Sequence, residues 1–312
     1  MRPVTLCKSL AGFLAFGQCH AAVTWTTIGC GANAQVDGKD ITQMWNNAVD
    51  LSSNAQSKLD NLLNAITIHS REGPIARIAS HVRNMFAIEY RFDRLGAIPS
   101  GSRGDVRTIR DNYKLVDEQM KANNGYIICS DADFKFTDDE PVSSGAWYVN
   151  LPGTETRMYL TSYMGLENGE NNKPCSDPTI MGKTFKGLQT LPDGALKEHQ
   201  AILLCDNNHR GRKKGTLERN FVAAGANPNP NEYGSASGTI LHEMFHVVSN
   251  RFSDKDIPNS PQTENVAYMY NPCYWLAMEN PVAAIENPDN YRILAEMLMS
   301  PSTSWAPPDD RT

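Results

Sequence analysis

Residues 241–248 read Leu-His-Glu-Met-Phe-His-Val-Val, an H-E-x-x-H motif within an apolar run. The apolar residues recur at the i, i+3, i+4, i+7 spacing that buries one side of a helix. A helix places His242 and His246 one turn apart, so both imidazoles leave the same face. Residues 234–238, Gly-Ser-Ala-Ser-Gly, supply a turn and serine caps just upstream.

Two neutral imidazoles on one rigid face are suited to bind a zinc ion, which at catalytic sites takes three protein ligands and a water molecule. Glu243 follows His242 directly and can act as the general base on that water. The motif therefore predicts hydrolysis of peptide bonds. The alternative is a core helix in which both histidines only form hydrogen bonds.

Segments with helical spacing come first in the chain. Apolar residues follow a helical period over about 40–66 and again over 75–92. Residues 99–104 read as a loop, behind which Asp105 is expected to cap a third helix that stops at Asn-Asn-Gly, residues 123–125.

Short β-rich runs follow these helices. They lie at 126–129, 146–149, 157–161 and 201–205, and a β-like run over 23–28 precedes the first helix. Helices, then a small mixed sheet, then the motif helix predict an α+β fold. Beyond the motif we expect a loop over 253–262 and two further helices over 267–278 and 290–299.

The N-terminus has the order of an export signal. Arg2 and Lys8 are its positive end, an apolar core covers 10–16, and small residues follow at Ala21 and Ala22. A buried N-terminal helix is the alternative. We predict a signal peptide over 1–22, a helical N-terminal region over 23–100 that is a propeptide or an integral lobe, a peptidase domain over 101–300 and a flexible tail over 301–312.

Charge and hydropathy narrow the range of partners. The chain has 312 residues and a formal net charge of −6, so we expect neither nucleic acid nor an anionic membrane surface as a partner. No apolar stretch is long enough to span a bilayer. We predict a secreted monomer whose partners are protein or peptide substrates.

Cysteine usage agrees with export. Cys7 and Cys19 lie in the predicted signal, and the remaining five cysteines are Cys30, Cys129, Cys175, Cys205 and Cys273. An odd number in an exported protein predicts two disulfides and one free thiol, and it leaves the pairing open.

The zinc site needs a third protein ligand. The downstream loop offers Asp254, Asp256, Glu264 and Asn265, of which a carboxylate is the natural choice. No histidine follows His246, which excludes a three-histidine site of the H-E-x-x-H-x-x-G-x-x-H type.

Several segments resemble the deuterolysin family, secreted fungal aspzincin peptidases that include the lysine-specific metallo-endopeptidases. Besides the motif they are Thr-Glu-Asn-Val-Ala-Tyr at 263–268, Cys273, Asn280-Pro281 and Asn-Pro-Asp-Asn-Tyr at 287–291. The resemblance covers mainly the second half of the chain. It implies a zincin-like fold, zinc bound by His242 and His246, and Glu243 as the catalytic glutamate.

Further roles follow from the resemblance alone. Tyr268 matches a tyrosine that steadies the oxyanion, and Met269 replaces a glycine of the family. The family's aspartate ligand falls on Asn265, a neutral residue. We therefore predict Glu264 as the third ligand, with Asp256 and Asn265 as alternatives.

Asp289 matches one of two acids that line a lysine-accepting pocket in the lysine-specific members. The second position is Arg292 here, and its charge disfavours lysine. The alternative role of Asp289 is to cap the helix over 290–299.

Two functions compete at this stage. The first is a secreted zinc-dependent metalloendopeptidase in which Glu243 is the general base. The second is a catalytically weakened, effector-like zinc-binding protein on the same scaffold, which the substitutions at Asn265 and Arg292 favour.

Overall fold

The structure is a computed structural model. It describes residues 25–30, 35–36, 39–65, 73–88, 100–122, 124–137, 146–160, 173–177, 180–191, 193–205, 228–258 and 266–305. The predicted signal peptide and the last seven residues lie outside this part of the chain. No helix among the described residues is long and apolar enough to cross a membrane.

Seven strands form one mixed sheet. They are β1 (Thr26–Ile28), β4 (Gly125–Ile128), β5 (Lys135–Thr137), β6 (Ala146–Asn150), β7 (Arg157–Leu160), β8 (Gly182–Thr190) and β9 (Leu196–Leu204), and β2 (Gln35–Val36) and β3 (Lys39–Asp40) form a separate pair. Their order is β1-β4-β9-β8-β7-β6-β5. β1, β4 and β9 run parallel, whereas every pair from β9 to β5 is antiparallel.

Strand β8 was not predicted. Its sequence, Gly-Lys-Thr-Phe-Lys-Gly-Leu-Gln-Thr, has few apolar residues, so hydrophobic alternation is a weak signal there. Nine consecutive residue pairs join it to β9, and Phe185 is its one buried apolar side chain. Backbone pairing in the tertiary structure therefore defines this strand, more than its own side chains do.

Seven helices complete the described fold: α1 (Ile41–Asn64), α2 (Pro74–Phe86), α3 (Ser100–Lys121), α4 (Ala236–Val248), α5 (Tyr270–Glu279), α6 (Pro281–Glu286) and α7 (Pro288–Met299). The side chain of Asp40 caps α1 by accepting from the amides of Thr42 and Gln43. These helices and the mixed sheet confirm the α+β prediction.

The helices differ from prediction in several places: α6 was not predicted, α5 begins three residues later than expected, and the two largest differences lie in the second and third helices. The third helix begins at Ser100, within the predicted loop; Arg103 donates to the carbonyl of Ala65 at 2.9 Å, a tertiary contact that fastens its first turn. The second ends at Phe86 because Ala87 adopts a left-handed φ of 53°, which stops helix propagation.

The core has two main parts on opposite faces of the sheet, and Ala146, Tyr148 and Tyr159 form a third, small cluster. Ile127, Ile202 and Leu204 face the helices and belong to the larger part, whereas Ile128, Ala201 and Leu203 face the smaller one. The alternation follows from the two-residue period of a strand. Because α1 and α2 share the larger part with α4 and α7, residues on both sides of position 100 bury their side chains together.

The five cysteines within the described ranges form two disulfides and leave one free thiol, as predicted. Cys30–Cys129 joins the ends of β1 and β4, and Cys175–Cys205 joins a short turn to the end of β9. Cys273 is free and buried in α5.

Candidate metal centre

Helix α4 forms over the motif as predicted. Ser235 is its N-cap, and the hydroxyl oxygen accepts from the amide of Gly238 at 2.9 Å. The helix is buried over most of its length and packs against α1, α3 and α7 and against β8 and β9. This packing on several sides holds α4 in place and therefore fixes where the side chains of His242 and His246 point.

The motif histidines converge with an acid from the loop that follows α4. The two Nε2 atoms lie 3.2 Å apart. Oδ1 of Asp254 lies 3.2 Å from Nε2 of His242 and 3.4 Å from Nε2 of His246. One potential ligand atom of each residue falls within 4.8 Å of the others, so the three can hold a metal ion together.

The outer nitrogens of both rings have acceptors. Nδ1 of His242 lies 3.2 Å from Oδ1 of Asp289, and Nδ1 of His246 lies 3.1 Å from the carbonyl oxygen of Phe252. Each neutral ring therefore carries its proton on Nδ1 and directs the lone pair of Nε2 inward. Two lone pairs and a carboxylate at these distances repel one another unless a positive charge lies among them.

The electrostatics of the centre favour such a charge. Burial would lower the pKa of His242, but hydrogen bonds to Asp254 and Asp289 raise it to about 10. Burial would likewise raise the pKa of Asp254, but its contacts with the two histidines hold that pKa well below the usual range. Two imidazole nitrogens and one carboxylate oxygen are also ligands that zinc prefers, so the donor set fits this metal.

The loop that carries Asp254 is fastened on both sides of that residue. The amide of Ser253 donates to the carbonyl of Glu286 at 3.2 Å, and the amide of Lys255 donates to Oδ1 of Asn287 at 3.2 Å. Asn287 is fully buried and also donates to the carbonyl of Ala267 at 3.0 Å. These bonds fix the loop against the start of α7 and aim the Asp254 carboxylate at the histidines.

Glu243 lies between α4 and β8. Its side chain is buried, and Oε2 accepts from the hydroxyl of Thr184 at 2.8 Å. The two elements approach closely because residue 182 is glycine: a Cβ atom there would come within 3.0 Å of Cγ and Oε1 of Glu243. Gly182 and Thr184 were not identified from the sequence, because the strand that carries them was not predicted.

Tyr268 stands beside the histidines. Its ring centroid lies 5.9 Å from that of His242, and the side chain is 44% exposed. Its phenol is hydrogen-bonded to Asp254; partial burial and this carboxylate together raise the pKa of Tyr268. The phenol therefore stays protonated and directs its proton to Asp254.

The remaining predicted residues have different locations. Asp256 is exposed and forms an isolated bridge with Val266, and it is not among the three converging residues. Glu264 and Asn265 lie outside the described residues. Asp254, a candidate that was not preferred, is the acid that meets the histidines; no local feature of the sequence distinguishes it from Asp256.

Asp289 is buried below His242, with 3% of its surface exposed. Besides His242 it contacts Arg292, and Oδ2 accepts from the amide of Met269 at 2.7 Å. It lies in the first turn of α7, whose N-cap is Asn287. The structure thus pairs Asp289 with protein groups on both carboxylate oxygens.

No protein-family model, curated protein or solved structure matches this chain, so the resemblance to deuterolysins gains no support from these comparisons.

Proposed function

We propose that the protein is a zinc-dependent metalloendopeptidase with a zincin-like fold that cleaves protein or peptide substrates. One observation carries the proposal: His242, His246 and Asp254 converge within one small volume, and Glu243 stands on the same helix beside it. Three protein ligands with an adjacent carboxylate is the arrangement of catalytic rather than structural zinc sites.

Zinc held by these three side chains would supply a Lewis acid that polarises the scissile carbonyl and lowers the pKa of water. Glu243 is the group of this chain that takes the proton from the attacking water and returns it to the leaving amine. Thr184, donating to Oε2, orients the carboxylate for that transfer. Tyr268, whose protonated phenol bonds to Asp254, would turn that proton to the developing oxyanion.

The compartment belongs to the same proposal. Two disulfides favour folding in an oxidising environment, and the N-terminal sequence has the order of an export signal. We propose secretion. Membership of the deuterolysin family also remains a proposal, and one geometric detail supports it: Met269, in place of the family's glycine, adopts a φ of 71°, which favours glycine.

Substitution of the general base tests the mechanism directly. Glu243→Gln is expected to keep zinc and to lower kcat/KM for casein or a peptide by about 10²- to 10⁴-fold, the usual contribution of a positioned base. His242→Ala is expected to lose zinc and activity together. Zinc content is measured by atomic spectroscopy beside the cleavage assay, and Glu118→Gln, an exposed change in α3, is the matched control.

Full activity in Glu243→Gln would overturn the mechanism. A wild-type protein that binds no zinc would overturn the proposal as a whole.

A zinc-binding protein without turnover is the second candidate. The burial of Glu243 and its bond to Thr184 favour it, because a base that is already hydrogen-bonded and shielded meets water less readily. Wild-type protein that binds one zinc ion yet leaves a peptide library intact would select this candidate over the peptidase.

A further inference from the structure

Helix α7 carries a buried set of charges directly behind the metal-binding face of α4. Asp289, Arg292 and Glu296 are 3%, 6% and 3% exposed. They recur at three- and four-residue spacing, so they follow one side of the helix. Because isolated buried charges are costly, their contacts decide what this set does.

Arg292 links the two acids. Nε and NH2 of Arg292 donate to the two oxygens of Asp289 at 2.6 and 2.8 Å, a bidentate pair. NH1 donates to Oε2 of Glu296 at 2.8 Å. Each charged group of the set therefore has a partner of opposite charge within the set, as buried charges require.

Each end of the set reaches α4. At one end, Oδ1 of Asp289 lies 3.2 Å from Nδ1 of His242. At the other, Oε1 of Glu296 accepts from the amide and the hydroxyl of Ser235, the N-cap of α4, at 3.2 and 3.3 Å. The contacts therefore fix both the start of the motif helix and the ring of its first histidine.

The two helices approach closely along this line. Gly238 of α4 faces Glu296 and Arg292, and a Cβ atom at residue 238 would overlap Oε1 of Glu296. The polar contacts thus set the rotation of α4 about its axis, which decides where His242 points.

The Asp289 carboxylate also acts on the centre directly, because its Oδ1 atom lies 3.2 Å from Nδ1 of His242. A carboxylate that accepts from Nδ1 raises the ligand strength of Nε2 and fixes its tautomer.

We infer that Asp289 is a positioning residue for the metal ligand His242, and that Arg292 and Glu296 hold it in place by tying α7 to the N-cap of α4. The inference rests on the proposed function, since it assigns Asp289 to the same metal centre. It departs from the pocket role that the resemblance implied for Asp289.

Metal affinity and ligand-field spectra test this inference without reference to catalysis. In the full chain, Asp289→Asn is expected to weaken Zn²⁺ binding about 10- to 100-fold, the usual effect of removing an outer partner of a histidine ligand. Affinity is measured by competition with a chromophoric chelator. Bound Co²⁺ is expected to show a shifted visible spectrum, because the ring of His242 changes its orientation.

A second variant covers the case in which Asp289→Asn does not fold. Arg292→Lys keeps the positive charge but loses the planar bidentate contact, so it is expected to fold, to bind Zn²⁺ more weakly than wild type and to shift the Co²⁺ spectrum in the same direction. Arg110→Lys is its matched control, since Arg110 pairs with Asp60 and Asp111 rather than with a residue of the metal centre, and it should leave both readouts unchanged.

The outcomes separate the two ideas. Wild-type protein that takes up neither Zn²⁺ nor Co²⁺ contradicts the proposed function. If wild type binds both metals and the folded variants keep its affinity within twofold and its Co²⁺ spectrum, the inference alone is wrong.

Discussion

Two buried histidines on two helices of the same core have opposite surroundings. His242 on α4 meets Asp254 and Asp289, and these carboxylates raise its pKa to about 10 against the effect of burial. His81 on α2 is as deeply buried, but burial and the charge of Arg77 lower its pKa to about 4. Within the described part of the chain its Nε2 atom has no hydrogen-bond partner.

The difference shows that residue type and burial alone do not make a cation site. A histidine in a helix becomes one when acids on other elements surround it, as α7 and the loop after α4 surround His242. His81 also lies on a helix of the same core, but it lacks those acids. The alternative in which the motif histidines are ordinary core residues therefore describes His81 better than His242.

The largest expected effect comes from removing Asp254, an acid that His242 contacts and His81 lacks. Asp254→Asn is expected to lower zinc affinity at least about 10²-fold, since structural zinc sites with four ligands gain 10–16 kcal/mol, or roughly 3 kcal/mol per ligand. Asp256→Asn, two residues away and exposed, is the matched control and should bind as wild type. Chelator competition on both variants measures the effect.

The opposite pattern of zinc binding in these variants would favour the third ligand that was predicted from the sequence. If Asp256→Asn or Glu264→Gln loses zinc while Asp254→Asn keeps it, the loop acid assigned here is the wrong one.

The next effect concerns His81 and the pH dependence of folding. Between pH 6.5 and about 4, His81 is protonated in the unfolded chain but stays neutral in the folded chain. The free energy of unfolding therefore falls as the pH drops through this window, by about 3 kcal/mol in total, and the contribution of His81 is fully retained above pH 6.5. In His81→Leu this part of the acid sensitivity should disappear.

Denaturant unfolding at pH 7, 5.5 and 4 measures the free energy of unfolding of wild type and of His81→Leu. The difference between the two proteins is taken at each pH, so that the contributions of other titrating groups cancel. Parallel stability curves for the two proteins would mean that His81 has a partner that stabilises its charged form.

The smallest expected effect comes from the backbone that supports Asp289. Met269 holds a φ of 71° while its amide donates to Asp289, a conformation that costs a residue with a Cβ atom roughly 1–2 kcal/mol. Met269→Gly is therefore expected to stabilise the protein by about 1 kcal/mol, against the usual effect of glycine. Thermal unfolding checks this change.

Met278→Gly, at an equally exposed methionine inside helix α5, is the matched control and should destabilise by about 1 kcal/mol. Equal destabilisation of both variants would show that position 269 carries no strain.

Much of the fold could be predicted because its signals are local. The apolar side chains of α1 and α4 recur at helical spacing, and the Asp40 and Ser235 caps are visible as single residues. Strand β8 was missed because its nine residues gain order by pairing with β9 rather than from their own hydrophobic pattern. The start of α3 was misplaced because Ser100–Gly104 are loop-forming residues that a tertiary contact of Arg103 draws into a helix.

By itself the sequence determined the paired histidines, the adjacent glutamate and the helix that presents them, since a spacing of four residues and an apolar period are properties of a short segment. It also determined the number of disulfides, but not their partners. The tertiary structure alone decided which acid meets the histidines, that Thr184 holds Glu243 and that Asp289 stands behind His242. The last two contacts join residues 59 and 47 positions apart, and Asp254 is placed by the bonds of its loop to Glu286 and Asn287. No local pattern records a contact that only the folding of the intervening chain brings about.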